Sequence, residues 1–365
     1  ANMAWASAVL TEATAPLLAA ISAAAMASLG AAAAPNAGAS ALEVNPRSVL
    51  SLVEAFAEAG ALQDEHVRLA AAALQRRAAE LDESSAAQPA GIRIRRERAS
   101  TGGPVAEEPT VLLDHPRGVC ALQKPSGWTV TVGNEGRNRL DPEVTGGADG
   151  RQLQDWIAET LGGSGPIAFD EDFAHGLVHR LDRETSGVLI CGRTYSGYFS
   201  ARLAFSARRV QKEYVCLSHG WVAPAPRTLA EPLRTVYRNG ARWRSAVDSD
   251  GRSARTEILA VCHWLHPEAG ALSLVRVRLH TGRMHQIRVH LAHEGHPLVG
   301  DPVYGKGARP WCPRLFLHAC RIGIDLGGGE LLAARSPLPG DLRAALQALH
   351  AVDGSARLRE GRESQ

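Results

Sequence analysis

In the stretch HGLVHRLDRETSGVLI (175–190), Asp182 stands between Arg180 and Arg183, just ahead of a Thr-Ser-Gly turn and an apolar run. A carboxylate so placed can serve as nucleophile or base, provided nearby cations keep it ionised against the desolvation that burial brings. Chemistry is also concentrated in RLHTGRMHQIRVHLAHEG (278–295), where Arg283, His285, Gln286, Arg288 and His290 crowd about two turns. The pattern predicts a strand, a Thr-Gly turn with Thr281 as N-cap, and a helix over 284–295. His285 and Arg288 would share one face of that helix while Ile287 and Leu291 turn toward a core. A helix N-terminus with so many donors suits a phosphate or a carboxylate. In FSARRVQKEYV (205–215) a strand would put Lys212 and Tyr214 on one side and Gln211 and Glu213 on the other.

These groups need a scaffold, and residues from about 110 to 350 have the texture of one. Short β-branched segments at 118–127, 186–194, 210–222, 255–265, 272–280 and 314–326 are separated by turn signals. Helical patterns at 151–161, 195–207, 284–295 and 340–349 fall between some of them. Strands arriving in runs predict an α+β domain with a mixed, mainly antiparallel sheet. Residues 1–83 are almost all helix formers. ANMAWASAVL (1–10) and LSLVEAFAEAG (50–60) read as one unit written twice, each followed by an Ala/Leu-rich segment (16–26 and 66–81). That pattern fits a repeat array with a period near 49, or a nonspecific helical extension. The phrase also resembles the WAxA repeats of RNA-binding helical-repeat proteins of organelles. Residues 84–109 mix Ser, Pro, Gly and dense charge and are expected to form a linker, its Arg93, Arg95, Arg96 and Arg98 solvated or touching RNA. Residues 351–365 are expected to be a charged, disordered tail.

Taken in order, KPSG (124–127), HRLDRETSG (179–187), VQKEY (210–214), TGRMHQIRVH (281–290), GHPLVGDPVYG (295–305) and RLFLHA (314–319) resemble the motifs of the RluA-type RNA pseudouridine synthases over about 115–345. The resemblance implies a pseudouridine synthase fold with a central cleft, acting on uridine in structured ribosomal or transfer RNA without metal or cofactor. By motif position, Asp182 matches the catalytic aspartate, Tyr214 the tyrosine that stacks on the target base, and Arg288 the basic residue that pairs with the aspartate. Arg180 matches an arginine able to fill the gap left by the departing uridine, and Leu317 an apolar residue lining the pocket. His179, Lys212, Arg283, His285 and Gln286 are expected to contact the substrate. Met284 stands where the family usually has Thr or Ser, and 132–150 reads as an inserted surface loop.

The bulk properties fit an RNA-facing protein. Residues 1–90 carry nine Asp/Glu against four Lys/Arg, a balance of −5, whereas the remainder carries +7. The basic part is where a polyanion would bind. The six cysteines contain no CxxC pair and are expected to be buried free thiols in a reducing compartment. No His or Cys spacing suggests a metal, and the alanine-rich run at 13–35, interrupted by Pro16 and Gly30, is not expected to span a membrane. Lys124 is left open between a structural and a phosphate-contacting role, and Asp301 is expected to fix a turn. The chain reads as a monomer. Beginning at Ala1, it also reads as a fragment that could lack a targeting peptide, compatible with cytoplasm, chloroplast or mitochondrion and tilted toward an organelle by its leader. An RNA-binding or RNA-chaperone protein that kept the fold is the competing function, opposed by the intact Asp182, Tyr214 and Arg288.

Overall fold

The computed structural model describes residues 15–33, 45–86, 107–132, 151–238, 242–327, 329 and 331–352. The first unit's opening helix at 1–10, most of the expected linker, most of the 132–150 insert and the tail from 353 lie outside them.

Three helices come first: α1 (Ala15–Ala33), α2 (Pro46–Glu58) and α3 (Asp64–Ala86). α2 starts where Asn45 accepts the Arg47 amide on its side chain and Pro46 takes the first helical position. Its apolar spacing buries Val49, Leu50, Val53 and Phe56, each worth about 1.5–3 kcal/mol against full exposure. His66 joins the three helices. Its ring stacks on Phe56 at 4.6 Å, its Nε2 meets the Ser22 hydroxyl at 2.8 Å, and its Nδ1 accepts the Gln63 amide.

The strands follow as β1 (Thr110–His115) and β2 (Val119–Lys124), helix α4 (Leu153–Leu161), β3 (Ser186–Gly192), helix α5 (Tyr195–Ser206) and β4 (Val210–His219). Next come β5 (Arg227–Leu229), the hairpin β6 (Leu233–Arg238) and β7 (Arg242–Val247), and the long pair β8 (Thr256–His266) and β9 (Gly270–Leu279). Helix α6 (Gln286–His293), β10 (Leu317–Asp325), β11 (Leu331–Arg335), helix α7 (Gly340–Gln347) and β12 (His350–Ala351) complete the described chain. The main sheet runs β1-β2-β3-β10-β4-β9-β8-β12, with β11 on β10 and β5 on β8, while β6 and β7 form a sheet of their own. Among the described residues every strand pairing in it is antiparallel except β3 with β10. This is the expected mixed, mainly antiparallel α+β sheet.

The parallel pair brings the N-terminal ends of β3 and β10 to one end of the sheet, with β4 beside them. Approach there is close: Gly187 faces Ala319 across the pairing, and a Cβ at Gly187 would lie 2.3 Å from the Ala319 carbonyl oxygen. Only glycine fits.

The N-terminal helices share the core of the sheet domain. Val53 and Leu74 belong to the same buried cluster as Leu189, Leu203 and Ile322. Gln75 of α3 donates to the Ser196 carbonyl and the Ser200 hydroxyl of α5.

Candidate active site

The loop before β3 carries Asp182 and is held from below by Lys124. That lysine is fully buried, and its ammonium donates to the carbonyls of Pro125, Trp128 and Arg183 at 2.9–3.0 Å. Gly127, in a left-handed conformation, donates its amide to the Arg183 carbonyl, and the Ser126 hydroxyl donates to the Glu184 carbonyl. The KPSG turn and the HRLDRE loop are therefore laced together, and of the two roles open to Lys124 these bonds give it the structural one. Burial pushes its ammonium down to about 7. Arg183 donates its Nε to the Gly127 carbonyl at 3.3 Å.

Helix α6 enters from the other side. It begins at Gln286, and its N-cap is His285 in a left-handed conformation (φ 56°), where Thr281 was expected. Thr281 takes a different part: its hydroxyl accepts the Arg255 amide and donates to the Gln286 side chain. Gln286 also accepts the Arg283 amide and donates to the Arg255 carbonyl and the Thr256 hydroxyl. Buried with all of these bonds made, Gln286 shapes the turn and is not presented to a substrate. His290 is occupied in the same way, by the Thr256 hydroxyl and the Glu231 carbonyl.

Arg288 is buried at the centre. Its Nε and Nη2 meet the two oxygens of Asp301 at 2.8 and 2.9 Å, a bidentate pair, and its Nη1 reaches Asp182 Oδ2 at 3.4 Å. Asp301 does fix the turn expected of it, accepting the amides of Val303 and Tyr304. It also sets where the guanidinium sits. The Tyr304 ring lies under that guanidinium at 5.3 Å. Its hydroxyl donates to the Ser245 carbonyl and accepts the Ser245 amide, tying the β6–β7 hairpin to the site. Because that single hydroxyl proton is given to Ser245, His285 Nδ1, 3.1 Å away, is the donor of the third bond, which turns Nε2 toward Asp182 Oδ2 at 3.9 Å. Asp301 and Tyr304 were not anticipated as parts of the site. Their signal in GHPLVGDPVYG is an acid and an aromatic three apart after glycine, which reads equally as an ordinary turn.

Burial alone would raise the Asp182 carboxyl. His285, Arg288 and Arg180 outweigh it and hold the group below the usual carboxylate range. Tyr214 lies buried on β4, and Lys212 shares its strand face, while Glu213 faces Arg276, Arg278 and Arg321 on the opposite side. Burial first, and then the Asp182 charge, pushes the Tyr214 hydroxyl well above its ordinary range, so it stays protonated. Leu317 is buried at the start of β10, in the same apolar cluster as Tyr214. Lys212 is half-buried; burial and the Arg283 charge lower it to about 8. Arg180 is half-buried within electrostatic reach of Asp182.

His179 does not match its expected part. Its Nε2 accepts the Ile190 amide at 3.0 Å, its ring stacks on Phe205 at 4.7 Å, and burial lowers it to about 3. It is a neutral pillar under the loop, its ring engaged by the Ile190 amide and Phe205. No group of three or more His, Cys, Asp or Glu that could hold a metal occurs among the described residues, and no described helix is long and apolar enough to cross a membrane.

The family model described as RNA pseudouridylate synthase matches residues 119–293. A protein of Chloroflexus aurantiacus described as an uncharacterized RNA pseudouridine synthase is 40% identical over 185 residues, covering 50% of this chain and 56% of the relative. Ribosomal large subunit pseudouridine synthase D of Nitrosomonas europaea is 35% identical over 197 residues, covering 50% and 53%. The chain thus spans about half the length of these curated relatives. Among solved structures, human RNA pseudouridylate synthase domain containing 1 superposes with a TM-score of 0.50 at 24% identity, covering 69% of this chain and 93% of that one. That likeness is one of fold.

Proposed function

We propose that the chain carries a catalytic domain of the RluA-type RNA pseudouridine synthase family and isomerises uridine to pseudouridine in RNA, with Asp182 as the reacting carboxylate. The observation that carries this reading is Asp182 Oδ2 facing Arg288 at 3.4 Å and His285 at 3.9 Å, with Tyr214 and Leu317 both in the buried apolar cluster of the sheet.

The isomerisation breaks the N1–C1′ bond, turns the uracil and joins C5 to C1′. The C5 proton leaves and N1 gains one, so nothing is added overall and the balance requires no co-reactant. The carboxylate assists by attacking the sugar, attacking the base, or removing the C2′ proton, and each route needs it charged. Arg288, oriented by Asp301, holds that charge. The uridine must leave its stack, at about a few kcal/mol. Stacking on Tyr214 offsets part of this, about 1–3 kcal/mol by analogy with single-strand binders. Arg180, Lys212 and Arg283 contact RNA. Residues 110–350 are the catalytic unit, and the helices before them an accessory to it. The relatives named for the ribosomal large subunit favour ribosomal RNA as the substrate class.

The test is release of tritium to solvent from RNA carrying 5-tritiated uridine. Release by the wild-type chain that stops in Asp182→Ala is expected. Release undiminished in that variant would remove Asp182 from the chemistry.

A further inference from the structure

Glu58, the last residue of α2, stands where three guanidiniums of the sheet domain converge. Its Oε1 lies 3.4 Å from Arg283 Nη2, 3.6 Å from Arg208 Nη2 and 3.6 Å from Arg252 Nη2. The three arginines come from separate places: the turn between α5 and β4, the loop between β7 and β8, and the turn before α6. Arg283 is further fixed by donating its Nε to the Ser253 carbonyl at 3.0 Å. The cluster adjoins the site already described. Arg283 is two residues from His285, and its charge acts on Lys212, which shares a strand face with Tyr214.

Three cations around one carboxylate are under-neutralised, even with the Glu54 charge felt by Arg283. The distances are longer than the ~2.7–2.9 Å of a tight charge-assisted bond. Arg252 remains 67% exposed and Arg208 40% in their side chains, so the cluster is open to a larger anion. The same helical segment supplies Asp64 to Arg209 nearby. The acidic N-terminal part of the chain therefore lies on the basic part beside the site already described.

We propose that Arg208, Arg252 and Arg283 form a seat for a backbone phosphate of the RNA substrate, and that Glu58 is its internal competitor, a carboxylate displaced as the phosphodiester arrives. This rests on the proposed action on RNA and adds to it a contest between the helical segment and the substrate. The phosphodiester offers two non-bridging oxygens to three forks, where Glu58 meets all three through one oxygen. A competitor of this kind weakens nonspecific RNA binding without touching the reacting carboxylate.

The experiment is equilibrium binding of a fluorescent polyuridine 20-mer to the full chain at several KCl concentrations, for wild type, Glu58→Gln, Arg252→Ala and the double variant. Glu58→Gln should tighten binding about three- to tenfold at low salt, with the gain shrinking as salt rises. Arg252→Ala should weaken binding and lower the salt slope by about one, and should remove most of the gain from Glu58→Gln. α2 is held by Val49, Leu50, Val53 and Phe56, so the glutamine leaves its packing in place. Binding unchanged or weakened in Glu58→Gln would overturn the proposal, since a carboxylate that merely steadied the arginines would cost affinity when removed. The two readings fail separately. Binding that responds as stated in a chain that forms no pseudouridine upholds the seat and rejects the isomerase. Pseudouridine formed by a chain whose binding ignores Glu58 rejects the seat alone.

Discussion

At Asp182 the motifs offered the reacting residue and one of its partners, Arg288, but not the whole set that surrounds it. Of the two arginines that flank Asp182, Arg183 bonds to the Gly127 carbonyl, and the groups that hold the carboxylate are His285, Arg288 and Arg180. Two of these three come from a helix about a hundred residues away, which no local spacing could place. Asp301 was legible only as a turn residue, because its bond to Arg288 depends on how α6 docks. Its removal leaves the buried Arg288 charge short of its main partner, so Asp301→Ala should destabilise the fold by about 3–5 kcal/mol. Asp182→Asn, at a partly open loop, should leave the unfolding midpoint nearly unchanged, and urea denaturation of the two variants checks the contrast. The depressed Asp182 pKa has a kinetic sign as well. The carboxylate stays charged until pH falls below the ordinary carboxylate range, so the acid limb of kcat/KM should lie below where a free aspartate titrates. Lys212 sets the opposite limb. With its pKa lowered to about 8, it loses charge as pH rises through that value, and RNA affinity should fall there. Lys212→Arg should flatten that fall, and a wild-type affinity constant from pH 7 to 9 would contradict its contact with RNA.

At the scale of elements, strands β2, β3, β4, β8, β9 and β10 were readable because β-branched and apolar segments set between turn signals admit few alternatives. β1, the β6–β7 hairpin, β11 and β12 were not. Sequences such as LRTVYR and RWRSAV alternate charge with apolar residues, and their pairing is set by neighbours found far along the chain. Thr281 was misjudged as a cap because Thr-Gly before a helical pattern is a good local signal, while the observed start of α6 is imposed by Gln286 bonding to β8. Lys124 is another residue whose role is set by distant partners. The three carbonyls it serves join two turns, so Lys124→Met should lower stability by about 3 kcal/mol or more, since buried acceptors would lose their donor. The loss should be read by thermal unfolding, and the Asp182 loop should exchange its amides faster. A variant as stable as wild type would return Lys124 to the RNA-contacting role.

For the whole molecule, the charge asymmetry visible in the sequence acquires a spatial meaning. The acidic helical segment packs into the same core as the basic sheet domain and lays Glu58 and Asp64 against Arg208, Arg209, Arg252 and Arg283. Composition indicated two parts of opposite charge; only the docking of α3 on α5, through Gln75 and its apolar neighbours, shows that they meet beside the site. The central claim is that this assembly converts uridine to pseudouridine through Asp182. It is tested most directly by mapping pseudouridine chemically, at nucleotide resolution, in ribosomal RNA incubated with the full chain or with Asp182→Asn. New pseudouridines made by the wild type and missing with the variant, at RNA affinity within a few-fold, are the predicted result. Pseudouridines formed equally by both chains, or by neither while both bind the RNA, would contradict it.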